Sequence, residues 1–100
     1  MLDCRSKRIL LVEEDAILSM ATEFRLTGRG FEVDKAYCGE DAVDIFNTEC
    51  LPDLVLMDID LGDGIDGTEA ARRILHDNEV PIIFLTNHNE IEMVEKVKNI

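Results

Sequence analysis

A chain of 100 residues has room for one compact domain and not for two, so any chemistry must sit on a single core. Its hydrophobic fraction of 46% is ordinary for a globular protein and falls in short blocks, which argues against an acidic disordered tail. A formal net charge of −12 argues against direct nucleic-acid binding by this segment, because phosphate backbones require a basic surface. Most of the 22 acidic residues are expected to be solvated surface. Only their positions decide whether a subset converges on a cation.

Cys4, Cys38 and Cys50 are odd in number and lack the close pairing of a zinc or redox motif, so they are read as reduced packing or surface thiols. No stretch approaches the roughly 20 apolar residues of a membrane span, and the opening MLDCRSKR has no apolar signal core. The chain is therefore read as cytoplasmic, with no membrane partner.

In chain order, Arg8 leads into the continuous apolar run Ile9, Leu10, Leu11 and Val12, which stops abruptly at Glu13, Glu14 and Asp15. This predicts a buried strand ending in acids. From Ala16, the positions Ile17, Met20, Ala21 and Phe24 recur at helical spacing, with Asp15 as N-cap and Gly28 and Gly30 as stops. Phe31 to Tyr37 reads as a second short strand, and Ala42, Val43 and Phe46 after Gly39 as a second helix.

After Pro52 comes a third apolar run, Leu54 to Met57. It also ends on an acid, Asp58, ahead of a turn-rich stretch containing Gly62, Asp63, Gly64, Asp66 and Gly67. Ala70, Ala71, Ile74 and Leu75 predict a third helix. Pro81 opens a fourth strand, Ile82 to Leu85, that ends at Thr86, and Ile91, Val94 and Val97 predict a fourth helix. Apolar strands alternating with amphipathic helices imply a parallel α/β sheet covered on both sides, with right-handed crossovers.

In such a sheet, ligands bind beyond the carboxyl ends of the strands. Glu13 and Glu14 follow the first strand, Asp58 ends the third and Thr86 ends the fourth, which gathers carboxylates and a hydroxyl around one crevice. Clustered carboxylates repel one another unless a cation neutralises them, and all-oxygen donors suit Mg²⁺. The alternative for a lone acid at a strand end is an N-cap or solvated turn residue. Two separate strands ending alike weaken that alternative.

RILLVEED, PDLVLMDIDL, the turn reaching Asp66 and Gly67, and VPIIFLT together resemble successive signatures of response-regulator receiver domains of two-component signal transduction, from about Arg8 to the last residue. The resemblance implies a flavodoxin-like (CheY-like) doubly wound parallel sheet of order 2-1-3-4, with one receiver domain over 1–100 and its core over about 8–100. It implies that Asp58 is the phosphoacceptor, that Thr86 hydrogen-bonds the phosphoryl group as a switch, and that Mg²⁺ (or Mn²⁺) is held by Glu13, Glu14, Asp58 and the backbone carbonyl of Asp60. The donor would be a sensor histidine kinase or phosphotransfer domain. The chain would act as a phosphoacceptor and not as a multiple-turnover enzyme. An output domain in a further C-terminal part, and a dimer, are compatible with it.

Two departures from that pattern stand out. Glu14 fills a position that most receivers give to aspartate, and its extra methylene predicts a shifted or weaker metal site. The family's fifth strand and helix, with the lysine that pairs with the phosphoryl group, are missing, so the chain is expected to be a fragment whose fourth strand is an uncovered apolar edge. Lys96 and Lys98 lie in the fourth helical pattern and are not given the lysine's role. Lys96 and Lys98 aside, His76 and His88 are expected to face solvent, and Asp63 and Asp66 to serve turn chemistry.

Two rivals remain at this point. Asp58, Ile59 and Asp60 also resemble the DxD opening of haloacid-dehalogenase-type phosphohydrolases, but Gly62 falls where that motif prefers Thr or Val, and Glu13 and Glu14 go unexplained. A receiver-like interaction module without phosphorylation has the same fold, and the presence of Asp58 and Thr86 counts against it.

Overall fold

The computed structural model describes residues 7–47, 50–62, 64–86 and 90–94. The parallel strands are β1 (Arg8–Val12), β2 (Glu32–Ala36), β3 (Leu54–Asp58) and β4 (Ile82–Thr86), apolar runs in all but the mixed edge strand β2, and they are separated by the helices α1 (Ala16–Thr27), α2 (Gly39–Ile45) and α3 (Gly67–Asp77). Each helix is the crossover between two parallel strands, so the flavodoxin-like order β2-β1-β3-β4 follows from alternating buried strands and one-faced helices.

Residues 90–94 do not form the expected fourth helix. They form β5 (Glu90–Val94), an edge strand antiparallel to β4. The local sequence Glu90-Ile91-Glu92-Met93 alternates polar and apolar with period two, and this competes with the three-residue spacing of Ile91, Val94 and Val97. The outer edge of β4 is therefore paired and not bare. Cys4, Asp63, His88, Lys96, Val97 and Lys98 lie outside the described residues.

Strand alternation divides the core between two faces. Leu10, Val12, Val55, Met57, Ile82 and Phe84 are buried on one face against Ala42 of α2 and Ala70, Ala71 and Ile74 of α3. On the other face Ile9 and Leu11 are buried, whereas Leu54, Leu56, Ile83 and Leu85 remain half-buried.

α1 covers this second face with an unexpected side. Ser19 is its one fully buried residue, and Glu23 pairs with Lys35 of β2 at 2.8 Å. Its apolar stripe points outward, with Ile17 76%, Met20 61% and Phe24 79% exposed. The helix and its Asp15 cap are as the sequence predicts, since Asp15 Oδ1 accepts from the backbone N–H groups of Ile17 (2.9 Å) and Leu18 (3.2 Å), but the packed face carries Ser19, Thr22 and Glu23 with Leu26 as its apolar member.

Cys38 is free, as expected, whereas the buried Cys50 departs from expectation in being disulfide-bonded. Among the described residues, no helix is long and apolar enough to cross a membrane.

Candidate functional site

The register of the sheet builds the site. Val12 pairs with Met57 as the last partners of β1 and β3, so the next residues along, Glu13 and Asp58, arrive side by side at the carboxyl end. Asp58 in turn pairs with Leu85, so Thr86 is the residue that follows at the end of β4. The Glu13 N–H donates to the Ala36 carbonyl at 3.1 Å, which carries the β1–β2 ladder one step further and fixes the Glu13 backbone.

A cleft of about 180 Å³ opens there, lined by Glu13, Glu14, Asp15, Asp58 and Asp60. Glu13 and Asp58 form its floor, only 4% and 5% exposed, while Glu14, Asp15 and Asp60 form its exposed rim. Short turns hold the carboxylates: Glu13 Oε2 accepts the Asp15 N–H at 3.2 Å, Asp58 Oδ1 accepts the Asp60 N–H at 3.2 Å, and Asp60 Oδ1 accepts the Gly62 N–H at 3.3 Å. Among the described residues, no basic residue lines this cleft. Two nearly buried carboxylates beside three more are a costly arrangement that positive charge relieves.

The donor set fits a hard divalent cation, for which carboxylate and carbonyl oxygens are the natural ligands. Among the described residues, no three carboxylate, histidine or thiol side chains converge as a ready-made metal cage. Mg²⁺ does not need one, because it keeps several waters and uses one or two carboxylates.

The β3–α3 loop that carries Asp60, marked in the sequence only as a turn, is held by three contacts that the sequence did not announce. At Gly67 a side chain would run into the Asp58 carbonyl oxygen and Ile59 Cα, so α3 starts directly against the end of β3, and the Gly67 N–H donates to the Ile59 carbonyl at 2.9 Å. Glu40, in the first turn of α2, accepts the Ile65 N–H at 3.1 Å and lies against Gly64. Backbone N–H donation, from its own residue first and then from Ile65, holds its carboxyl below the usual range. The Glu14 carboxylate lies against Gly62. In each case one partner is a glycine whose missing side chain makes room, a signal visible only once the loop's neighbours are known. Asp66 is more than a turn residue: it caps α3 by accepting the Glu69 N–H at 2.9 Å, and that bond holds its carboxyl below its ordinary value.

Asp58, Glu13, Glu14 and Asp60 are thus brought together. Thr86 is placed by its backbone at the neighbouring strand end. His76 is exposed at the end of α3 beside Asp77, as expected.

Residues 9–100 match the family model of the response regulator receiver domain. The chain belongs to that family. This receiver domain is 42% identical over 82 residues to the transcriptional regulatory protein AfsQ1 of Streptomyces coelicolor; the match takes in 82% of the chain and 36% of that longer protein. The chain therefore spans about a third of this curated relative's length. Its fold is similar to the N-terminal domain of a response regulator/sensory box/GGDEF three-domain protein from Carboxydothermus hydrogenoformans, with TM-score 0.79, 39% identity, and 94% and 75% of the two chains covered. It is also similar to the response regulator TrrA of Thermotoga maritima, solved in complex with Mg²⁺ and BeF, with TM-score 0.74, 34% identity, and 83% and 71% covered. A receiver domain is a signalling module of two-component systems, and the receiver reading prevails over the phosphohydrolase one.

Proposed function

We propose that this receiver domain accepts a phosphoryl group on Asp58 from a phosphohistidine of a sensor histidine kinase or phosphotransfer domain. The observation that carries the reading is the placing of Glu13 beside Asp58, both nearly buried, at adjacent parallel strand ends. An Asp58 carboxylate oxygen attacks the phosphorus, the P–N bond breaks with its electrons returning to the donor imidazole, and an aspartyl phosphate results. The Asp60 N–H bonded to Asp58 Oδ1 orients the nucleophile.

Glu13, Glu14, Asp58 and the Asp60 backbone carbonyl would hold Mg²⁺ or Mn²⁺. Bound there, the cation offsets negative charge on donor and acceptor. In this reading the Thr86 hydroxyl bonds a phosphoryl oxygen and draws the end of β4 inward, which biases a two-state surface read by an output domain. We read 1–100 as one receiver domain, acting in the cytoplasm and not turning over as an enzyme.

Intact mass after incubation with acetyl phosphate and Mg²⁺ tests the reading. A Mg²⁺-dependent single phosphoryl adduct, absent from Asp58→Asn, is expected. An adduct that persists in Asp58→Asn, or none in the wild type, overturns it, and multiple turnover of phosphate monoesters requiring Asp60 would restore the phosphohydrolase alternative.

A further inference from the structure

We propose that Gly62 determines the geometry of the cation site through Glu14: its bare α-carbon lets the long Glu14 carboxylate rest on the β3–α3 loop at the rim of the cleft, and any side chain at 62 turns that carboxylate away. The inference rests on the cleft's being a divalent-cation site. A Cβ built on Gly62 would stand 2.6 Å from Glu14 Oε1 and 3.2 Å from both Cδ and Oε2. These are atoms at the free end of a flexible side chain, so Glu14 and not the loop would yield.

The neighbouring carboxylate is referenced to the same residue. The Gly62 N–H donates to Asp60 Oδ1 at 3.3 Å, so Gly62 touches one rim carboxylate through its α-carbon and the other through its nitrogen. Both belong to the set that lines the cleft with Glu13 and Asp58.

The coupling is specific to glutamate at position 14. An aspartate there is shorter by one carbon–carbon bond, roughly 1.5 Å, which draws its oxygens back from Gly62 to ordinary contact or beyond. The extra methylene of Glu14 and the missing side chain of Gly62 are thus two halves of one fit. Gly62 has a second reason to be glycine, its φ of +73°, a conformation that side chains other than Asn and Asp rarely adopt. Any test must separate backbone strain from the Glu14 contact.

A double-mutant cycle read by Mn²⁺ affinity does so. The dissociation constant is measured by calorimetry or by the electron-paramagnetic signal of free Mn²⁺ for the wild type, Gly62→Ala, Glu14→Asp and the double variant. Backbone strain at 62 is common to both backgrounds and cancels, leaving the contact. Gly62→Ala is expected to weaken Mn²⁺ binding by about tenfold beside Glu14 and by no more than about twofold beside Asp at 14, the size of coupling usual for touching residues. Gly62→Asn, which tolerates positive φ, is expected to weaken binding as Ala does; it also carries the cycle if the alanine variant does not fold.

Equal losses in the two backgrounds, or wild-type affinity in Gly62→Asn, overturn the inference while leaving the cation site in place. A wild type that binds no Mn²⁺ overturns the cation reading itself.

Discussion

Replacing Gly67 with alanine sets two effects of opposite sign against each other. Gly67 is the first residue of α3 and is buried. An alanine gains helix propensity and loses less backbone entropy on folding, a benefit of at most about 1 kcal/mol even in a helix interior. Against this, the new Cβ would stand 2.8 Å from Ile59 Cα, where ordinary contact begins at 3.4 Å, and would also press on the Asp58 carbonyl oxygen. Both neighbours are backbone, so neither can rotate away.

Relief requires α3 to lift from the end of β3 by roughly half an ångström, and gaps of that size forfeit about a quarter of the dispersion energy of the atoms they separate. The residues beneath the first turns of α3 are Ala70, Ala71 and Ile74, at most 5% exposed, so little slack exists to absorb the shift. Overpacking of this kind costs about 1–3 kcal/mol, and sterics win. Urea denaturation should show a lower midpoint with unchanged slope, and melting should fall by about 4–8 °C for each kcal/mol lost. A Gly67→Ala variant as stable as the wild type, or more so, would refute the claim that this close approach sets the position of the helix.

The Ser19 hydroxyl is wholly buried without a hydrogen-bond partner, so Ser19→Ala should stabilise the fold by about 1 kcal/mol in urea titration; destabilisation would mean the hydroxyl is bonded. Glu69 is held at about 2 against an ordinary 4.5 by hydrogen bonds from Arg72 and then Arg73. Its folded value is depressed, so the stability this cluster contributes is present above pH 4.5 and is lost as pH falls towards about 2. Glu69→Gln should flatten the stability profile across that window; the cluster is solvent-exposed, which keeps the effect small. Mg²⁺ at about 100 times its dissociation constant should stabilise the chain by about 2.7 kcal/mol, seen as a raised melting temperature that Glu13→Gln diminishes. An unchanged melting temperature would count against the cation site.

The convergence of Glu13, Glu14 and Asp58 in one cleft was legible in the sequence because its signal is one-dimensional. A strand buried on both faces must be apolar throughout, so the first acid marks its end, and parallel order brings the ends of β1 and β3 together. What stayed hidden depends on partners remote in sequence. Ile17, Met20 and Phe24 mark a helix correctly, but periodicity does not say which stripe faces the sheet, and here Ser19 and the Glu23–Lys35 pair do. Glu40 is 25 residues from the Ile65 N–H it accepts, and nothing local announces that contact. β5 was misread because Ile91 and Val94 satisfy a helical spacing, while the chain follows the alternation of Glu90 to Met93.

The pairing of Val12 with Met57 also bears on which insertions and deletions such a domain can survive in evolution. Glu13 meets Asp58 only because β1 and β3 run level, and adding or removing a single residue within either strand turns every later side chain to the opposite face. The buried Glu13 would then be exchanged with a core residue at the same moment that Asp58 lost its neighbour. Length variation should therefore be purged from these two strands even where substitution is tolerated, and should collect instead at the amino-terminal ends, such as the segment between α2 and β3, where none of the described residues lines the cleft.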